Sequence, residues 1–445
     1  MSHPATTAHN TRSSENYSLK WTIAVGLIIF VVLISNIALR FGINKPPSAT
    51  GDEPSYDSIA WELANHRGFR EDFSVPEFRS PYDTEAIDQP ELMKLPQSEA
   101  GLVTHRPPLF PGILSLFNQC FGRQFFAARI LNCFLMAATG ASVFFVLARR
   151  YGKSTALVTV LVFLILDFRV RLYSRALLTE SLSIFLAMAL TASLWKLAQT
   201  PNWKIASLTG LIFGLCIQCR SVTILWLPGL AVLFLLLLRA KSLRHGGTAL
   251  IATCLVCLPW GIRNIVVLDR LMPLGAQGMM EISAGFSDEA FRRKGVWFPL
   301  DQVDFFKSVE ADHDTRLQRE IARADYSRRQ ATEWIRRHPT ESFQLGAMKI
   351  WNEYRPRNSV SFLIFILSLA GWISSAHQCE SRIVAGLHAA NALSIAATWS
   401  VEGRFVVPLL FGTYLMAGAG IRLVLQLCSK LPNALMHRSG GPFHK

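Results

Sequence analysis

Long uncharged stretches recur along most of the chain and are separated by short segments rich in lysine and arginine. A transmembrane helix needs about 20 predominantly apolar residues. The longest stretches free of Asp, Glu, Lys and Arg lie at 21–39, 130–148, 221–238, 358–376, 383–401 and 405–421, and shorter apolar ones lie at 154–166, 181–195, 205–219 and 246–262. The pattern predicts an all-α polytopic membrane protein with about 10 transmembrane helices, within a range of about 10–13.

The composition supports this interpretation and excludes an ordinary soluble protein. Of the 445 residues, 51% are hydrophobic and 17% are charged, and the mean hydropathy is +0.28. Lysine and arginine collect in loops that face the cytoplasm if the N-terminus does, which accounts for the net charge of +14 without a nucleic-acid partner. The predicted organisation is a cytoplasmic N-terminal tail at 1–20, a transmembrane domain at 21–429 and a cytoplasmic C-terminal tail at 430–445.

Two long polar segments are predicted on the extracytoplasmic side, at about 40–106 and 269–357. The first is acidic, since the residues from Pro46 to His105 include twelve Asp or Glu against four Lys or Arg. The second contains a charged helical run that ends at His338-Pro339. An amphipathic stretch follows at 343–351 and is typical of a helix lying at the membrane surface.

Asp52 and Glu53 form an acidic pair where the first predicted span opens into the acidic segment. Pro54 suits the first turn of a helix, and Gly68 supplies its end. The two carboxylates are therefore predicted at a helix N-terminus, where the peptide dipoles favour the ionised form that a general base requires. The alternative interpretation, a simple helix cap, stays open from the local sequence.

Several arginines fall at the predicted outer ends of spans, against the usual distribution of positive charge. They are Arg106, Arg169, Arg171, Arg175, Arg220, Arg263 and Arg404. Clustered arginines at this depth favour an anionic partner, and a guanidinium binds phosphate bidentately. Alternatively, some of them reach the surface or pair with Glu180, Glu281 or Glu402.

Metal and cofactor signals are weak. Cys216 and Cys219, and likewise Cys254 and Cys257, have metal-motif spacing, but they lie in apolar stretches without nearby His or carboxylate partners. Helix packing is therefore the favoured interpretation. No metal site and no cofactor are predicted, although the sequence leaves a divalent cation open. No phosphate-binding glycine loop or dinucleotide fingerprint is present.

Motifs along nearly the whole chain resemble those of polytopic glycosyltransferases of the GT-C superfamily. The closest likeness is to the branch that contains protein mannosyltransferases and aminoarabinose transferases. This likeness is of the glycosyltransferase family 39 type. The motifs are Asp52-Glu53, Arg106-Pro107-Pro108-Leu109-Phe110-Pro111, Leu178-Thr179-Glu180, Gly210-Leu211 through Arg220, Leu258-Pro259-Trp260-Gly261-Ile262-Arg263-Asn264, His338-Pro339 and Gly403-Arg404-Phe405 with Pro408. No single motif is specific; their order and common outer placement carry the resemblance.

The resemblance implies an inverting enzyme that takes a sugar from a polyprenyl-phosphate-linked donor and transfers it to a hydroxyl of a cell-envelope glycan, lipid or protein. Its acidic motif falls on Asp52 and Glu53, with Asp52 preferred as the base. The donor phosphate is assigned to Arg263, Asn264, Arg220, Arg175 and Arg404. Acceptor binding and site shape are assigned to Tyr56, Asp57, His105, Arg106 and Glu180. The required cavity is expected near Arg106 and the Pro107-Pro108 turn.

The chain lacks a sizeable C-terminal soluble domain, which disfavours a protein acceptor and favours a lipid-linked or envelope glycan. The site is expected on the extracytoplasmic face of a bacterial inner membrane. Two other classes of function remain as alternatives: a lipid or glycan transporter, and a noncatalytic assembly subunit. A transporter is expected to show paired interrupted helices in two halves, and the sequence shows no clear pair.

Overall fold

The computed structural model describes residues 6–438 except 97–99, 304, 311–312 and 314. Its two strands pair antiparallel, with Arg70 opposite Leu102. The α-helices and strands of the described residues, in chain order, are α1 Thr6–Arg40, α2 Glu53–Ala64, β1 Arg70–Glu71, α3 Pro76–Ala86, α4 Pro90–Met93, β2 Gly101–Leu102, α5 Leu109–Phe121, α6 Phe125–Tyr151, α7 Lys153–Leu161, α8 Phe168–Arg175, α9 Glu180–Gln199, α10 Trp203–Cys219, α11 Leu227–Leu238, α12 Ser242–Leu268, α13 Gln277–Met280, α14 Asp288–Arg292, α15 Lys307–Glu310, α16 Arg316–Arg337, α17 Pro339–Tyr354, α18 Ser359–Ser375, α19 Cys379–Ala397 and α20 Leu410–Arg438.

The predicted all-α membrane fold is confirmed, and each predicted apolar stretch coincides with helical structure. Among the described residues, five candidate spans are long and apolar enough to cross a bilayer: Leu19–Arg40, Phe125–Tyr151, Glu180–Gln199, Ser221–Leu268 and Val407–Ser429. A sixth is obtained if α17 and α18, which meet at 106°, count as one broken span. The figure of about ten spans therefore stays a prediction, as do the outer boundaries of the two tails, whose residues 1–5 and 439–445 lie outside the described part.

Helix α1 packs one face against the core of the helical bundle and leaves its opposite face exposed. Ile29, Leu33 and Ile37 are at most 2% exposed and follow one another at intervals of four residues, which places them on one side of the helix. Leu27 and Val31, on the opposite side, are more than half exposed. Exposed apolar side chains on the uncharged stretch of this helix are suited to contact with lipid.

Helices α18 and α20 approach each other at backbone distance because glycines face the neighbouring chain. A Cβ atom built on Gly371 would lie 1.8 Å from the Met416 carbonyl oxygen, and one built on Gly420 would lie 2.0 Å from that of Leu367. No larger residue fits at either position without separating the two helices. Small residues at helix contacts are the usual way in which membrane helices pack closely.

The two polar segments pack directly against each other, as their predicted placement on one side requires. The hydroxyl and backbone N–H of Thr104, from the first segment, both donate to Glu320 on α16. Glu71 on β1 pairs with Arg316 at the start of the same helix. The charged run predicted to end at His338-Pro339 is α16, for which His338 is the C-terminal cap.

His105, assigned to acceptor binding from the sequence, lies inside this contact between the segments. Its Nε2 is 3.2 Å from Glu71 Oε1, and its Nδ1 is 3.0 Å from Glu320 Oε1. Burial alone would lower the pKa of His105, but these two carboxylates outweigh burial and raise the pKa above its ordinary value. The same contacts lower the pKa of Glu71 and Glu320 against the effect of their own burial. The His105 imidazole therefore joins the two segments through carboxylates that favour its protonated form.

Asp57 lies in a packing contact of the first segment. Its side chain is 4% exposed and pairs with Arg123, and it accepts a hydrogen bond of 2.8 Å from the Tyr82 hydroxyl. The Arg123 guanidinium lies 4.1 Å above the centre of the Phe78 ring and donates to the Phe78 carbonyl oxygen at 2.7 Å. This arrangement ties α2 to α3 and to the turn between α5 and α6.

Asp57→Asn is expected to destabilise the fold, because it leaves the buried Arg123 charge without a counterion. Breaking a buried pair from one side costs about 3–5 kcal/mol of unfolding free energy. Glu333→Gln is the matched control, since the exposed pair of Glu333 with Arg337 is worth about 0–1 kcal/mol. The measurement is the unfolding transition of both variants in the same detergent, and equal shifts would contradict the anchoring role of Asp57.

Stability is expected to fall with rising pH through the titration of His105. Because the folded-state pKa of His105 is raised, its proton stabilises the folded protein fully below the unfolded-state pKa of about 6.5. That contribution is lost as the pH rises through the raised folded-state pKa. His105→Gln is expected to flatten this part of the curve of unfolding temperature against pH, whereas curves of equal slope for wild type and variant would rule out the contribution.

Candidate active site

Asp52 lies directly before α2 and binds two arginines. Its backbone occupies the N-cap position, yet its side chain makes no capping hydrogen bond. Instead, Oδ1 is 2.8 Å from Arg106 Nη2, and Oδ2 is 2.7 Å from Arg404 Nη1. The interpretation of Asp52 as a simple helix cap is therefore wrong for this structure.

The contacts continue from Arg404 into the bundle. Arg404 also pairs with Oε1 of Glu180, the first residue of α9, and Arg220 Nη1 lies 3.2 Å from the same oxygen. The side chain of Glu180 is fully buried, and its Oε2 has no hydrogen-bond partner among the described residues. The charges alternate in sign along this series of ion pairs, with three positive and two negative side chains, in the order Arg106, Asp52, Arg404, Glu180, Arg220. We call these five residues the charge chain; its excess of one positive charge suits an anionic ligand.

Five separate parts of the sequence supply the charge chain. Asp52 and Glu180 lie at helix N-termini, where the peptide dipoles stabilise a carboxylate. Arg106 comes from the turn before α5, Arg220 from the end of α10, and Arg404 from the loop after α19. The structure therefore brings together four of the predicted site residues around Asp52, across separations of up to 352 positions.

Tyr56 and Ser55 hold Arg106 in place. The Arg106 guanidinium lies 5.3 Å from the centre of the buried Tyr56 ring, and its Nε donates to Ser55 Oγ at 3.0 Å. Ser55 Oγ also donates to Glu71, so that the charge chain is connected to the His105 contact between the two polar segments. Tyr56 and Arg106, which the sequence assigned to acceptor binding, thus lie beside Asp52.

Glu53 has a different environment from that of its neighbour Asp52. Its Oε1 accepts a hydrogen bond of 2.7 Å from the Leu177 N–H. Burial raises the pKa of Glu53 to about 7, although the Leu177 hydrogen bond and the charges of Arg129 and Arg175 act in the opposite direction. Arg175, a predicted phosphate ligand, lies 3.9 Å above the Phe41 ring and on the Glu53 side of the site.

The ionisation of Asp52 is displaced in the opposite direction. Burial would raise the pKa of its carboxyl, but the guanidinium groups of Arg106 and Arg404 outweigh burial and hold the pKa well below its ordinary value. Two adjacent carboxyl groups are thus held in different states at neutral pH. Asp52 is ionised and neutralised by arginine, whereas Glu53 exchanges its proton near neutrality.

Arg263 and Asn264, also predicted phosphate ligands, make other contacts. The Arg263 guanidinium donates to the carbonyl oxygens of Val103 and Phe69 at 2.8 and 3.1 Å, and its plane lies near the rings of Phe69 and Trp260. Asn264 is buried and donates to the Pro273 carbonyl oxygen. Their phosphate-binding role stays a prediction. The contacts of Arg263 hold the first polar segment against the end of α12, and that of Asn264 holds the start of the second.

A cavity of about 580 Å³ opens beside the charge chain. Arg404 borders it, and its wall continues along α18, α19 and α20 as largely apolar surface. Phe365, Leu369 and Trp372 in this wall are more than 40% exposed, so the cavity reaches the apolar outer face of the bundle. Its location differs from the sequence expectation, since neither Arg106 nor the Pro107-Pro108 turn lines it.

Two basic residues of this cavity escaped the sequence analysis. Arg355 and Arg357 line it, and each has a guanidinium nitrogen 3.7 Å from Glu402 Oε1. Arg169, which also lines it, is paired with Asp167. The position of Arg355-Pro356-Arg357 directly before the uncharged stretch at 358–376 is the signal that marks them as residues of a span end.

Within the described ranges, no group of three or more His, Cys, Asp or Glu side chains is arranged to hold a metal ion. The eight cysteines are unpaired, and Cys216 and Cys219 are buried in α10. The side chains around Asp52 include carboxylates and guanidinium groups. These groups can accept a proton and stabilise a phosphate.

Comparisons with known proteins agree with the resemblance drawn from the sequence. The family model described as dolichyl-phosphate-mannose-protein mannosyltransferase matches residues 105–262. No curated protein matches the chain significantly. Among solved structures, ArnT from Cupriavidus metallidurans bound to undecaprenyl phosphate is similar, with 12% identity, a TM-score of 0.41 and coverage of 93% of this chain and 79% of that chain. The apo state of the same protein gives 14% identity, a TM-score of 0.37 and coverage of 92% and 78%.

The matched segment runs from His105 to Ile262 and includes three members of the charge chain: Arg106, Glu180 and Arg220. The family description names a sugar carried on a polyprenyl phosphate as the donor and a mannosyl group as the group transferred. The resemblance to polytopic glycosyltransferases and the prediction of an enzyme are confirmed by this match. The match covers about a third of the chain and supports a multi-pass membrane glycosyltransferase whose donor is a polyprenyl-phosphate-linked sugar.

Proposed function

We propose that this protein transfers a sugar from a polyprenyl-phosphate carrier to a hydroxyl of a cell-envelope glycan or lipid, on the extracytoplasmic face of a bacterial inner membrane. The observation that carries the proposal is the position of Asp52. Its carboxylate binds Arg106 and Arg404 instead of capping α2, and Arg404 borders a cavity with an apolar wall. A carboxylate, cationic groups and a lipid-accessible groove are the three parts that the reaction needs.

The cavity fits a lipid-linked donor. The apolar surface of α18 and α20 provides a path for the polyprenyl chain, and the arginines at its polar end provide ligands for the phosphate. Glu402 now lies between Arg355 and Arg357, but at 3.7 Å it forms only loose ion pairs and is about half exposed. A phosphate, which accepts hydrogen bonds bidentately from guanidinium, is the stronger ligand for these groups.

The proposed step is a direct displacement at the anomeric carbon. The acceptor hydroxyl gives its proton to a carboxylate as its oxygen bonds to the anomeric carbon, and the bond from that carbon to the phosphate oxygen breaks. The electron pair leaves with the polyprenyl phosphate, whose growing charge the arginines stabilise. Attack on the face opposite the leaving phosphate inverts the anomeric configuration.

Donor binding explains how Asp52 becomes a base. In the present arrangement, Arg106 and Arg404 depress the proton affinity of Asp52. A donor phosphate competes for Arg404, and the carboxylate then loses part of its compensating charge. Its proton affinity rises at the moment when the sugar is in place. This coupling favours Asp52 as the base and makes Glu53, whose pKa is about 7, the second candidate.

The acceptor is expected to approach from the two polar segments at 40–106 and 269–357. They cover the side of Asp52 that carries Arg106, Tyr56 and His105, whereas the cavity for the donor lies on the side of Arg404. Donor and acceptor would thus meet at Asp52 from different directions. The basic bias of the opposite loops supports the proposal that the two segments lie outside the cytoplasm.

Asp52→Asn is expected to lower the rate of single-turnover transfer by about 10²- to 10⁴-fold, because it removes the proton acceptor. Glu53→Gln is the matched control and is expected to cost less. The pH profile separates the two carboxylates. A rate that rises with pH through about 7, together with the larger loss in Glu53→Gln, would assign the base to Glu53. Wild-type rates in both amide variants would remove the pair from the mechanism.

Arg404→Ala is expected to weaken binding of a polyprenyl phosphate by about 10- to 150-fold, which corresponds to a charge-assisted contact of about 1.5–3 kcal/mol. Arg404→Lys is expected to restore binding only in part, since an ammonium lacks the planar fork. Arg263→Ala tests the competing prediction, and it is expected to change binding less because Arg263 contacts backbone carbonyls. Direct binding to purified, folded variants is the measurement. A larger loss in Arg263→Ala would move the phosphate to that residue.

A further inference from the structure

The loop that carries Arg404 wraps around one carboxylate of a neighbouring helix. Glu353, near the end of α17, is 2% exposed. Its Oε1 accepts from Ser400 Oγ at 2.9 Å and from the Val401 N–H, and its Oε2 accepts from the N–H groups of Gly403 and Phe405 at 2.8 and 3.0 Å. Four donors of a six-residue loop thus converge on a single side chain.

The backbone of this loop is strained at its centre. Glu402 has φ +50° and Gly403 has φ +97°, both in the left-handed region. For a non-glycine residue such as Glu402, this conformation is unfavourable and persists only where the surroundings hold it. The hydrogen bonds to Glu353 come from the residues on both sides of Glu402, so they supply that restraint.

Helix α17 also fixes the point at which the loop begins. The buried Nζ of Lys349, one turn before Glu353, donates to the carbonyl oxygens of Thr398 and Ala396 at 2.7 and 3.3 Å. One turn of α17 therefore holds the end of α19, and the next turn holds the loop at 400–405. The Arg404 backbone lies between two peptide N–H groups that both bind Glu353 Oε2.

We propose that Glu353 is a positioning residue for the transfer reaction, which holds the loop so that the Arg404 guanidinium bridges Asp52 and Glu180 at the edge of the donor cavity. The inference rests on the proposed function. Glu353 also lines the cavity, but it makes no described hydrogen bond or ion pair with Asp52 or Glu180. It acts through the backbone on either side of Arg404.

Glu353→Gln separates this role from mere filling of space. The amide has almost the same size, but its nitrogen cannot accept a hydrogen bond and would face either the pair of donors at Oε1 or the pair at Oε2. Two of the four contacts are therefore lost, while the packing of α17 is kept. The matched control is Glu333→Gln on α16, because Glu333 is about half exposed and pairs with Arg337 only.

The first measurement is hydrogen exchange of the peptide that contains residues 400–405, in the purified full-length protein. Faster exchange in Glu353→Gln and wild-type exchange in Glu333→Gln are expected. Unchanged exchange in Glu353→Gln would overturn the inference without any reference to activity. Should wild type show no transfer with any polyprenyl-linked donor, the proposed function would fall, and this exchange result alone would decide whether Glu353 holds the loop.

The second measurement is a double-mutant cycle on single-turnover transfer. Glu353→Gln is expected to lower the rate by about 10- to 100-fold in the wild-type background, the range for small misplacement of a reacting group. In the Arg404→Ala background it is expected to add less than about threefold, because the residue through which it acts is absent. Equal losses in both backgrounds would show that Glu353 acts independently of Arg404 and would overturn the inference.

The pH profile adds a readout that a general loss of structure would not move. Loosening Arg404 removes one of the two positive charges beside Asp52, so the acid limb of the profile is expected to shift to higher pH in Glu353→Gln. A uniform decrease at all pH values would contradict the inference. Should Glu353→Gln fail to fold, Ser400→Ala removes one of the four contacts. It is then expected to lower the rate by about two- to fivefold in the wild-type background only.

Discussion

The structure depends on the compensation of charges at the edge of an apolar bundle. Glu180 is fully buried, and without the two arginines beside it the carboxylate would lie in surroundings that solvate it poorly. Burial on this scale is tolerated because opposite charges converge from α2, α9, α10 and the loop after α19. The fold can therefore be understood as the scaffold that lets Asp52, Arg404 and Glu180 meet. A buried ion pair is weak evidence for a stabilising contribution. Here it is better explained by the side-chain positions that it fixes.

The sequence predicted those features that local patterns determine. Uncharged runs identify membrane helices because the bilayer imposes their length, and every predicted run became helical. The acidic pair was found because it stands alone at the end of a span. A local pattern could not predict which arginines contact this pair. Arg263 and Arg404 looked alike in the sequence, and only the fold brings Arg404 to Asp52, 352 positions away.

The cavity and the Glu353 contact were missed for a related reason. Glu353, Arg355 and Arg357 lie between the amphipathic stretch at 343–351 and the uncharged stretch at 358–376, and no local pattern shows the bend of 106° between α17 and α18. Asp52 and Glu53 show the same limit at the scale of one residue. They share a helix N-terminus, but one meets two guanidinium groups and the other a peptide N–H. No propensity distinguishes these environments.

The excess positive charge of the charge chain has a consequence for turnover in the proposed reaction. A sugar-linked polyprenyl phosphate is a diester with one negative charge, whereas the polyprenyl phosphate that remains is a monoester with a charge of about −1.5 to −2 at neutral pH. A cationic site therefore holds its product more tightly than its substrate. Two carboxylates neutralise arginines of this site in the structure, Asp52 and Glu402. In the proposed reaction they have a second role. When these carboxylates pair with the arginines again, they displace the polyprenyl phosphate. Product release is then an exchange of one anion for another rather than a simple dissociation.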